Sequence, residues 1–482
     1  MSDDVLAGIE WTGLEYHSGR VQPGDVFFAF AGAKTDGTRF ALEAVGKGAV
    51  AVISESPPPA SFPVRWIQVE HGRRTLAELA RRRYASTAAS LTLTGVTGTN
   101  GKSTTCALID SIHRAAGRVT AMVGTISYEI AGETRPSINT TPESLDLYRL
   151  FEEAVGRGAA HATMEVSSHG LALGRVWAMA FHTTVFTNLT QDHLDFHPSM
   201  EDYFRAKCLL FEGQGAPPPR VAVLNADDEW ARRIPVAGGQ RVIRYGTGAG
   251  ADLRACKTEV GFDGLRFDLA WEGQRWPVRS SLTGLFNVYN ILAAAGAGLG
   301  QDLDVETILR GIAARDTVPG RFERVDEGQP FLVVVDYAHT PDALRNVLAA
   351  ARKLAGHGRV ICLFGCGGDR DRGKRPLMGQ AAGELSDLTI LTSDNPRGED
   401  PIRILNDALV GLQRANAEYR VEPDRGKAIR LALAQARPGD ALVLAGKGHE
   451  TYQVLRGETI HFDDREEARA ALRQAGFLRR AE

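Results

Sequence analysis

Cysteine is scarce in this chain, and its few cysteines are scattered and odd in number. They are Cys106, Cys208, Cys256, Cys362 and Cys366. A disulfide framework is not expected in so large a chain with so few thiols. The C-x3-C spacing of the last two has no second pair that could complete a zinc site, so we expect buried structural thiols.

Long apolar runs, repeats and a charge excess of one sign are also missing. No run approaches the roughly 18 residues of a membrane span, and the start Met1-Ser2-Asp3-Asp4 lacks the basic flank of a signal peptide. The formal net charge of −3 gives no overall attraction to nucleic acid. We therefore expect a cytoplasmic protein with no nucleic-acid partner and no membrane span.

The chain has 482 residues, of which 52 are glycine. Because single cores stop growing near 250 to 300 residues, roughly two to four domains are expected. Short apolar runs broken by glycine and proline predict a small α/β domain over residues 1–90. A new strand, glycine loop and helix open a central domain over 91–318. Alternating strands and helices predict a third α/β unit over 319–482, with a mainly parallel sheet.

In the third domain, each of four apolar strands runs directly into polar or glycine-rich sequence. The strands are predicted at Phe331–Val335, Arg359–Phe364, Leu388–Thr392 and Ala441–Leu444. Ligands of open α/β sheets bind at the carboxyl ends of the strands. We therefore expect the four loops that follow to line one cleft.

The loop Gly98-Thr99-Asn100-Gly101-Lys102-Ser103 is the strongest single motif. Backbone amides of a glycine turn at the start of a helix attract phosphate oxygens, and Lys102 adds a charge beside the β and γ phosphates. The hydroxyl of Ser103 or Thr104 can reach a metal ion. Val96 stands where the first glycine of the strict P-loop belongs, so a chance Gly-Lys-Ser is the alternative; the flanking strand and helix favour ATP binding.

Two polar clusters follow later strands of the central domain. Glu165 ends a strand, where a carboxylate could hold Mg²⁺ or lie in a solvated turn. His193 and His197 are spaced i,i+4, but Leu194 stands where a zinc protease motif needs glutamate. We expect His197 to be a surface histidine, and Lys207 taken alone to be a surface lysine.

These motifs, in this order, resemble the Mur ligases of peptidoglycan synthesis, and the likeness extends over essentially the whole chain. The resemblance is carried by four segments: Gly98 to Ser103, Glu165 to His169, Asn188 to His193, and Lys207. Within the family, the chain most resembles the members that add the third residue of the peptide. The resemblance implies an N-terminal UDP-binding domain, a central ATPase domain and a C-terminal Rossmann-like domain. It also implies closure of the third domain over the second.

The resemblance further implies an ATP-dependent amide ligase that joins meso-2,6-diaminopimelate to UDP-N-acetylmuramoyl-L-alanyl-D-glutamate through an acyl phosphate. Its cofactor would be Mg²⁺. The lysine that matches Lys207 is carbamylated in the family, which makes it an anionic metal ligand. The implied catalytic residues are Lys102, Glu165, His193 and Lys207. The implied metal ligands are Ser103, Glu165, His193 and the carbamate of Lys207.

Substrate contacts are implied in the same way. For ATP they are Gly98, Thr99, Asn100, Gly101, Lys102, Ser103, Asn287, Asn290, Arg321, Asp336 and His339. For the UDP substrate they are Ser18, Lys34, Thr35, Asp36, Asn139, Thr140, Thr141, Ser167 and Arg175. Here Ser18-Gly19-Arg20 stands where relatives commonly have Asp-Ser-Arg.

Asp394-Asn395-Pro396-Arg397 matches the family signature for diaminopimelate rather than lysine. Diaminopimelate has a second carboxylate, which a guanidinium can grip with two hydrogen bonds. The implied contacts are Arg370, Asp394, Asn395, Pro396, Arg397, Gly446 and Glu450. Three alternatives to a diaminopimelate-adding ligase stay open. They are a related ligase such as a folylpolyglutamate synthetase or another Mur step, a P-loop switch protein, and a nucleotide-binding scaffold without catalysis.

Overall fold

The structure, a computed structural model, describes residues 5–30, 32, 35–262 and 264–477. Its N-terminal domain has a four-stranded parallel sheet in the order β1-β2-β3-β4. Side chains alternate between its faces, so Phe27 and Val52 pack towards α1, and Phe28 and Ile53 pack towards α2 and the central domain. The elements are β1 Gly13–Glu15, β2 Asp25–Ala29, α1 Ala41–Gly46, β3 Ala51–Ser54, β4 Arg65–Gln68, α2 Gly72–Arg83 and α3 Ala85–Ser90.

The central domain has an eleven-stranded sheet in the order β15-β14-β13-β12-β11-β10-β5-β9-β6-β7-β8. Neighbours from β13 to β6 are parallel, and the strands beyond them at both edges pair antiparallel. The strands are β5 Thr92–Thr97, β6 Thr120–Val123, β7 Ser127–Ile130, β8 Glu133–Pro136, β9 His161–Glu165, β10 Thr183–Phe186, β11 Val221–Asn225, β12 Arg241–Gly246, β13 Leu253–Gly261, β14 Gly264–Trp271 and β15 Gln274–Ser280.

Helices cover both faces of this sheet. The apolar helices α4 and α8 pack together on one face, where Ile109 and Ile112 join the same core as Ile291 and Leu292. On the other face, α5 and α7 share a core with the N-terminal domain. The helices are α4 Lys102–Ala115, α5 Ser144–Gly156, α6 Ser168–Ala172, α7 Met200–Glu212, α8 Leu285–Gly300 and α9 Val305–Ala313.

The C-terminal domain has a six-stranded sheet in the order β16-β17-β21-β18-β19-β20, in which only β16 is antiparallel to its neighbour. Its inner strands are almost entirely apolar because helices cover both faces; Asp336 and Thr389 are the exceptions. The elements are β16 Glu323–Arg324, β17 Leu332–Asp336, α10 Pro341–Ala355, β18 Val360–Phe364, α11 Lys374–Leu385, β19 Leu388–Leu391, α12 Pro401–Arg414, β20 Tyr419–Val421, α13 Arg425–Gln435, β21 Ala441–Ala445, β22 Tyr452–Leu455, β23 Glu458–His461 and α14 Asp464–Gln474.

The three-domain α/β architecture and the parallel third sheet are confirmed. All five cysteines are free thiols, and Cys256 is the one that is not buried. The domain boundaries near residues 90 and 318 stay predictions. Among the residues that the structure describes, no helix combines the length and apolarity needed to cross a bilayer.

Candidate active site

The glycine loop joins β5 to α4 in a conformation that its glycines make possible. Gly101 caps α4 with a φ of 86°, and a Cβ on it would collide with the side-chain oxygen of Asn290. A Cβ on Gly98 would collide with the hydroxyl of Thr187. Asn188 holds the loop from the side: its Oδ1 accepts from the Asn100 N–H at 2.9 Å, and its Nδ2 donates to the Asn100 carbonyl at 3.1 Å.

Lys102 folds back over this loop. Its Nζ donates to the carbonyls of Gly98 at 3.0 Å and Thr99 at 2.8 Å. Burial lowers the pKa of Lys102, and the nearby carboxylates of Glu165 and Asp192 oppose that shift. The cation therefore lies on the loop whose amides would face the phosphates.

Lys207 is not the surface lysine that its position alone predicts. Its side chain is 1% exposed, and its Nζ donates to the Gly98 carbonyl at 2.8 Å and lies over the Tyr203 ring. The surface prediction was wrong because α7 packs this face against β5 and the glycine loop. Burial and the charge of Lys102 hold the pKa of Lys207 far below its ordinary value. A neutral amine at this position is the form that reacts with CO₂.

Glu165 ends β9 beside β5, where it is the register partner of Val96. It is 2% exposed, and its two oxygens accept from the Thr125 N–H at 2.8 Å and the Thr125 hydroxyl at 3.1 Å. Thr140 contacts the same hydroxyl at 2.9 Å. The carboxylate is therefore fixed in orientation next to the glycine loop, and it is not in a solvated turn.

The donor types near the loop suit magnesium bound together with a nucleotide. No group of three His, Cys, Asp or Glu side chains in the described residues is arranged to hold a metal ion. Magnesium is usually held by one or two protein oxygens, substrate phosphates and water, so such a cage is not required. The oriented carboxylate of Glu165 and the hydroxyl of Ser103 are groups of the right kind.

His193 and His197 belong to a cluster of aromatic and imidazole rings. His193 has a φ of 56°; its ring lies 4.8 Å from that of His169 and 6.0 Å from that of Tyr203, between ring centroids. Burial lowers the pKa of His193. The prediction of a surface His197 was wrong, since its ring is 4% exposed and packs 5.2 Å from Tyr203. The i,i+4 backbone hydrogen bond between the two histidines turns His197 inwards.

Two hydrogen bonds connect the C-terminal domain to the glycine loop. Arg321 Nη2 donates to the Ser103 hydroxyl at 2.9 Å, and Asn100 Nδ2 donates to Asp342 Oδ2 at 3.1 Å. The start of α10 thus lies against the nucleotide-binding loop. The predicted closing movement stays a prediction.

The other residues expected to contact ATP lie around this junction. Asn290 lies against Gly101 and donates to Asn287 Oδ1 at 2.8 Å. His339 lines the cavity described below and makes a 2.7 Å hydrogen bond between its Nδ1 and the Tyr337 carbonyl. Asp336 accepts from the Phe322 N–H at 2.7 Å, and burial raises its pKa to about 6.

Part of the predicted UDP-substrate set forms one wall of the central domain. The Thr141 hydroxyl accepts from the Ser167 N–H at 3.0 Å and donates to the Glu165 carbonyl at 3.0 Å. Arg175 donates to the Thr141 carbonyl at 3.0 Å and pairs with Glu143 at 3.1 Å. Asn139 accepts through its carbonyl from Tyr128 OH at 2.7 Å.

The N-terminal members of that set lie elsewhere. Ser18 donates to Glu43 at 3.1 Å, and Asp36 accepts from the Thr38 N–H at 3.0 Å, which caps a 3-10 turn. Thr35 is exposed, and Lys34 lies outside the described residues. None of the three described residues lines the large cavity, and their contact with the uridine stays a prediction.

A cavity of about 830 Å³ separates the central and C-terminal domains. The loops after β17, β18, β19 and β21 all contribute to its wall, which confirms the expectation of one shared cleft. The central domain contributes the segment around Asp192 and His193, together with Thr140. The wall residues from the four loops include Tyr337, His339, Gly365, Arg370, Asp394, Asn395, Arg397, Gly446 and Glu450.

The residues predicted to bind the amino acid form one corner of this cavity. Arg370 is exposed, and Arg397, at a φ of 53°, donates through Nη1 to the Gly368 carbonyl at 2.8 Å. Asn395 Nδ2 donates to Glu450 Oε2 at 2.9 Å.

The acidic side of the corner is formed by Asp394 and Glu450. Asp394 is 8% exposed, and its Oδ1 has no hydrogen-bond partner among the described residues. Gly446 comes close enough that a Cβ there would lie 3.2 Å from Asp394 Oδ2. Pro396 is not on the wall and separates Asn395 from Arg397.

Sequence reasoning missed Lys447, which is fully buried behind this corner. Its Nζ lies 3.2 Å from Glu450 Oε2, 3.8 Å from Asp394 Oδ1 and 3.5 Å from Asn395 Oδ1. The sequence feature that could have pointed to Lys447 is its position between two glycines, immediately after an apolar strand.

Arg375, also missed, ties the loops of Arg370 and Arg397 together. It pairs with Glu399 at 2.7 Å and with Asp407 at 2.9 Å, and it donates to the Gly367 carbonyl at 3.2 Å. Nothing in its local sequence distinguishes it from a surface arginine.

The fold and this site define a class: three-domain α/β proteins in which a glycine loop of the central domain and the strand-end loops of the C-terminal domain lie around one cavity. The matching family profiles are "Mur ligase family, catalytic domain" over residues 10–84, "Mur ligase middle domain" over 96–298 and "Mur ligase, glutamate ligase domain" over 320–448. The chain belongs to the Mur ligase family.

Three relatives illustrate how far the likeness extends. The chain is 59% identical over 472 residues to the UDP-N-acetylmuramoyl-L-alanyl-D-glutamate–2,6-diaminopimelate ligase of Solibacter usitatus, covering 98% of this chain and 95% of the relative. It is 46% identical to the ligase of the same name from Geobacillus thermodenitrificans, with 96% and 94% covered. A solved structure of a ligase of that name superposes with a TM-score of 0.70 at 34% identity, with 97% and 95% covered.

Proposed function

We propose that this chain is the ATP-dependent ligase that joins meso-2,6-diaminopimelate to UDP-N-acetylmuramoyl-L-alanyl-D-glutamate in peptidoglycan precursor synthesis. The observation that carries the proposal is the cavity between the domains. Its wall brings Arg370, Arg397, Asp394 and Glu450 to face the segment around His193, which adjoins the glycine loop. An amino acid that carries a carboxylate and an ammonium group at its far end complements this pair of arginines and pair of carboxylates.

The reaction needs ATP and the carboxylate of D-glutamate to meet at the glycine loop. The γ-phosphoryl group passes to that carboxylate, giving an acyl phosphate and ADP; the diaminopimelate amine then attacks the acyl carbon, and phosphate leaves. Lys102 and the loop amides would hold the transferred charge, since phosphoryl transfer depends mainly on positioning and charge neutralisation. Contacts from the C-terminal domain at Arg321 and Asp342 would keep water from the acyl phosphate.

Magnesium would be held by Ser103, Glu165, His193 and the carbamate of Lys207. When bound, it supplies positive charge to the phosphate oxygens. The depressed pKa of Lys207 supports carbamylation, because CO₂ reacts with the neutral amine. We further propose that the enzyme acts in the cytoplasm on small-molecule substrates and that it is a monomer.

The test is phosphate release by the purified protein with ATP, Mg²⁺ and the UDP-dipeptide, comparing diaminopimelate with lysine. Faster turnover with lysine would overturn the proposed specificity. Arg397→Ala should raise the KM for diaminopimelate by roughly tenfold or more, as the loss of a charge-assisted hydrogen bond predicts, and leave the KM for ATP unchanged. Arg403→Ala, an exposed arginine in the first turn of α12, is the matched control.

A further inference from the structure

The loop Gly446 to Glu450 carries a lysine that the proposed chemistry leaves without a role. Lys447 follows β21 directly, and its side chain is completely buried although its neighbours Gly446 and Glu450 line the cavity. A buried ammonium group is costly unless acceptors surround it. Here Glu450 Oε2 and Asn395 Oδ1 accept hydrogen bonds from Lys447 at 3.2 and 3.5 Å, and Asp394 Oδ1 lies at ion-pair distance, 3.8 Å away; all three residues are on the cavity wall.

The acceptors are arranged so that Lys447 joins two segments that are distant in sequence. Glu450 lies in its own loop, and Asp394 and Asn395 lie in the loop after β19. Asn395 completes the ring by donating to the same oxygen, Glu450 Oε2, that Lys447 contacts. Lys447 also lies 5.6 Å from the centre of the Tyr452 ring, on β22.

The charge balance of this ring has a clear consequence. Burial and the neighbouring Asp394 raise the pKa of Glu450, and Lys447 opposes that shift. Another buried cation of this domain, Arg425, pairs with Asp464 at 2.6 Å and donates to the Ser393 and Ala445 carbonyls. Lys447 is therefore the buried cation that lies beside both wall carboxylates, 3.8 Å from Asp394 and 3.2 Å from Glu450.

We infer that Lys447 is a positioning residue that holds Asp394 and Glu450 together as a binding site for one ammonium group of the amino-acid substrate. The inference rests on the proposed function. Lys447 does not touch the substrate itself, because its side chain is fully buried behind Asp394, Asn395 and Glu450. It keeps two like charges close together, which would otherwise repel each other or take up a proton.

The test compares Lys447→Met and Lys447→Gln with wild type and with Lys427→Met, a control at an exposed position on α13 of the same domain. We expect both Lys447 variants to raise the KM for diaminopimelate roughly tenfold or more, as loss of a charge-assisted hydrogen bond predicts. The KM for ATP and for the UDP-dipeptide should stay near wild type. The control should match wild type throughout.

The pH profile distinguishes a positioning role from a merely structural one. Without Lys447 the pKa of Glu450 rises further, so the acid limb of kcat/KM for diaminopimelate should move to higher pH in Lys447→Gln. That movement should vanish when Glu450→Gln is combined with it. Lys447→Arg, which keeps the charge, should leave the limb nearer to wild type than Lys447→Gln does.

The outcomes separate the two claims. If wild type makes no product from diaminopimelate, the proposed function fails and the inference falls with it. If wild type is active but folded Lys447→Gln keeps its KM for diaminopimelate and its acid limb, the role of Lys447 alone is refuted. Equal losses of affinity for all three substrates would also refute it, because they would indicate a general structural defect.

Discussion

Two buried lysines of the candidate active site share one carbonyl oxygen. Lys102 and Lys207 each donate to the Gly98 carbonyl, at 3.0 and 2.8 Å. Burial lowers the pKa of both, and the charge of Lys102 lowers the pKa of Lys207 further. A like charge in a buried site disfavours a second ammonium group, and this lowers the pKa of Lys207 towards the neutral amine.

Lys207 should therefore carry a carbamate when CO₂ is present. In ¹³C-bicarbonate, the wild-type protein should show a carbamate carbonyl signal in its NMR spectrum that Lys207→Met lacks and that Lys353→Met, an exposed control on α10, retains. Lys207→Met should lose most of its ligase activity, by roughly a hundredfold or more, because an anionic ligand near the transferred charge is lost. An active Lys207→Met enzyme would contradict this role.

A second buried pair, far from the substrates, makes stability depend on pH. The rings of His113 and His161 stack with centroids 3.4 Å apart. Burial lowers the pKa of His113 to about 3 and that of His161 far below its ordinary value. The charged groups facing the pair are Arg118, which lies 3.1 Å from His113 Nδ1, and the more distant His182. Both histidines are neutral in the folded protein.

Because the unfolded chain binds these protons and the folded chain does not, this part of the stability is fully present above about pH 6.5 and is lost as the pH falls below it. Each histidine contributes a slope of about 1.4 kcal/mol per pH unit there. His113→Gln should make the denaturant-measured free energy of unfolding fall less steeply between neutral and acidic pH. His357→Gln, at an exposed position, should not. Equal slopes for wild type and His113→Gln would contradict the assignment.

At the scale of elements, the loop between β5 and α4, which we propose binds ATP, depends on a left-handed backbone conformation at Gly101. Gly101 and Gly117 flank the same helix with φ of 86° and 75°. A Cβ on Gly101 would collide with Asn290, but a Cβ on Gly117 would meet nothing within 4 Å. An alanine at either position would therefore adopt an unfavourable left-handed conformation, but only the alanine at Gly101 would also clash with Asn290.

Gly101→Ala should weaken ATP binding strongly, because the loop must shift away from Asn290 and its amides then lose their alignment with the phosphates. Gly117→Ala should cost only about 1 kcal/mol of stability and leave ATP binding unchanged. Calorimetric titration with a non-hydrolysable ATP analogue, alongside thermal unfolding, measures both effects. Similar ATP affinities for the two variants would contradict the proposed role of the loop.

The sequence predicts the elements well where the chain is parallel and buried. The strands found as β17, β18, β19 and β21 lie within one residue of their predicted bounds, because apolar runs followed by polar or glycine-rich sequence mark them. The antiparallel additions at the edges, such as β7 and β8, were not predicted, since their short, half-exposed segments have no such pattern. The order of the strands within each sheet could not be predicted from sequence patterns.

Site residues could be predicted from the sequence where they belong to a recognisable motif, and could not be predicted where tertiary packing determines their burial. The glycine loop, Glu165 and the cavity loops follow from position at strand ends. The burial of Lys207, His197 and Lys447 depends on which helix or loop covers them, which residue type does not reveal. The role of Lys207 was implied by the family resemblance alone, and the structure adds its depressed pKa.

The whole molecule brings two sets of groups to one cavity. The central domain supplies the glycine loop and its lysines, and the C-terminal domain supplies the two arginines and two carboxylates. Arg321 and Asp342 connect the domains across the loop. Bond formation between an activated carboxylate and an amino acid requires both sets at once, so neither domain alone should catalyse it.

The most direct test of the account is the mass of the product that the full chain makes from ATP, Mg²⁺, the UDP-dipeptide and an equimolar mixture of diaminopimelate, lysine and ornithine. The account predicts one ligation product, with the mass of the diaminopimelate adduct, and no product from Lys102→Ala. A predominant lysine or ornithine adduct, or normal product formation by Lys102→Ala, would contradict it.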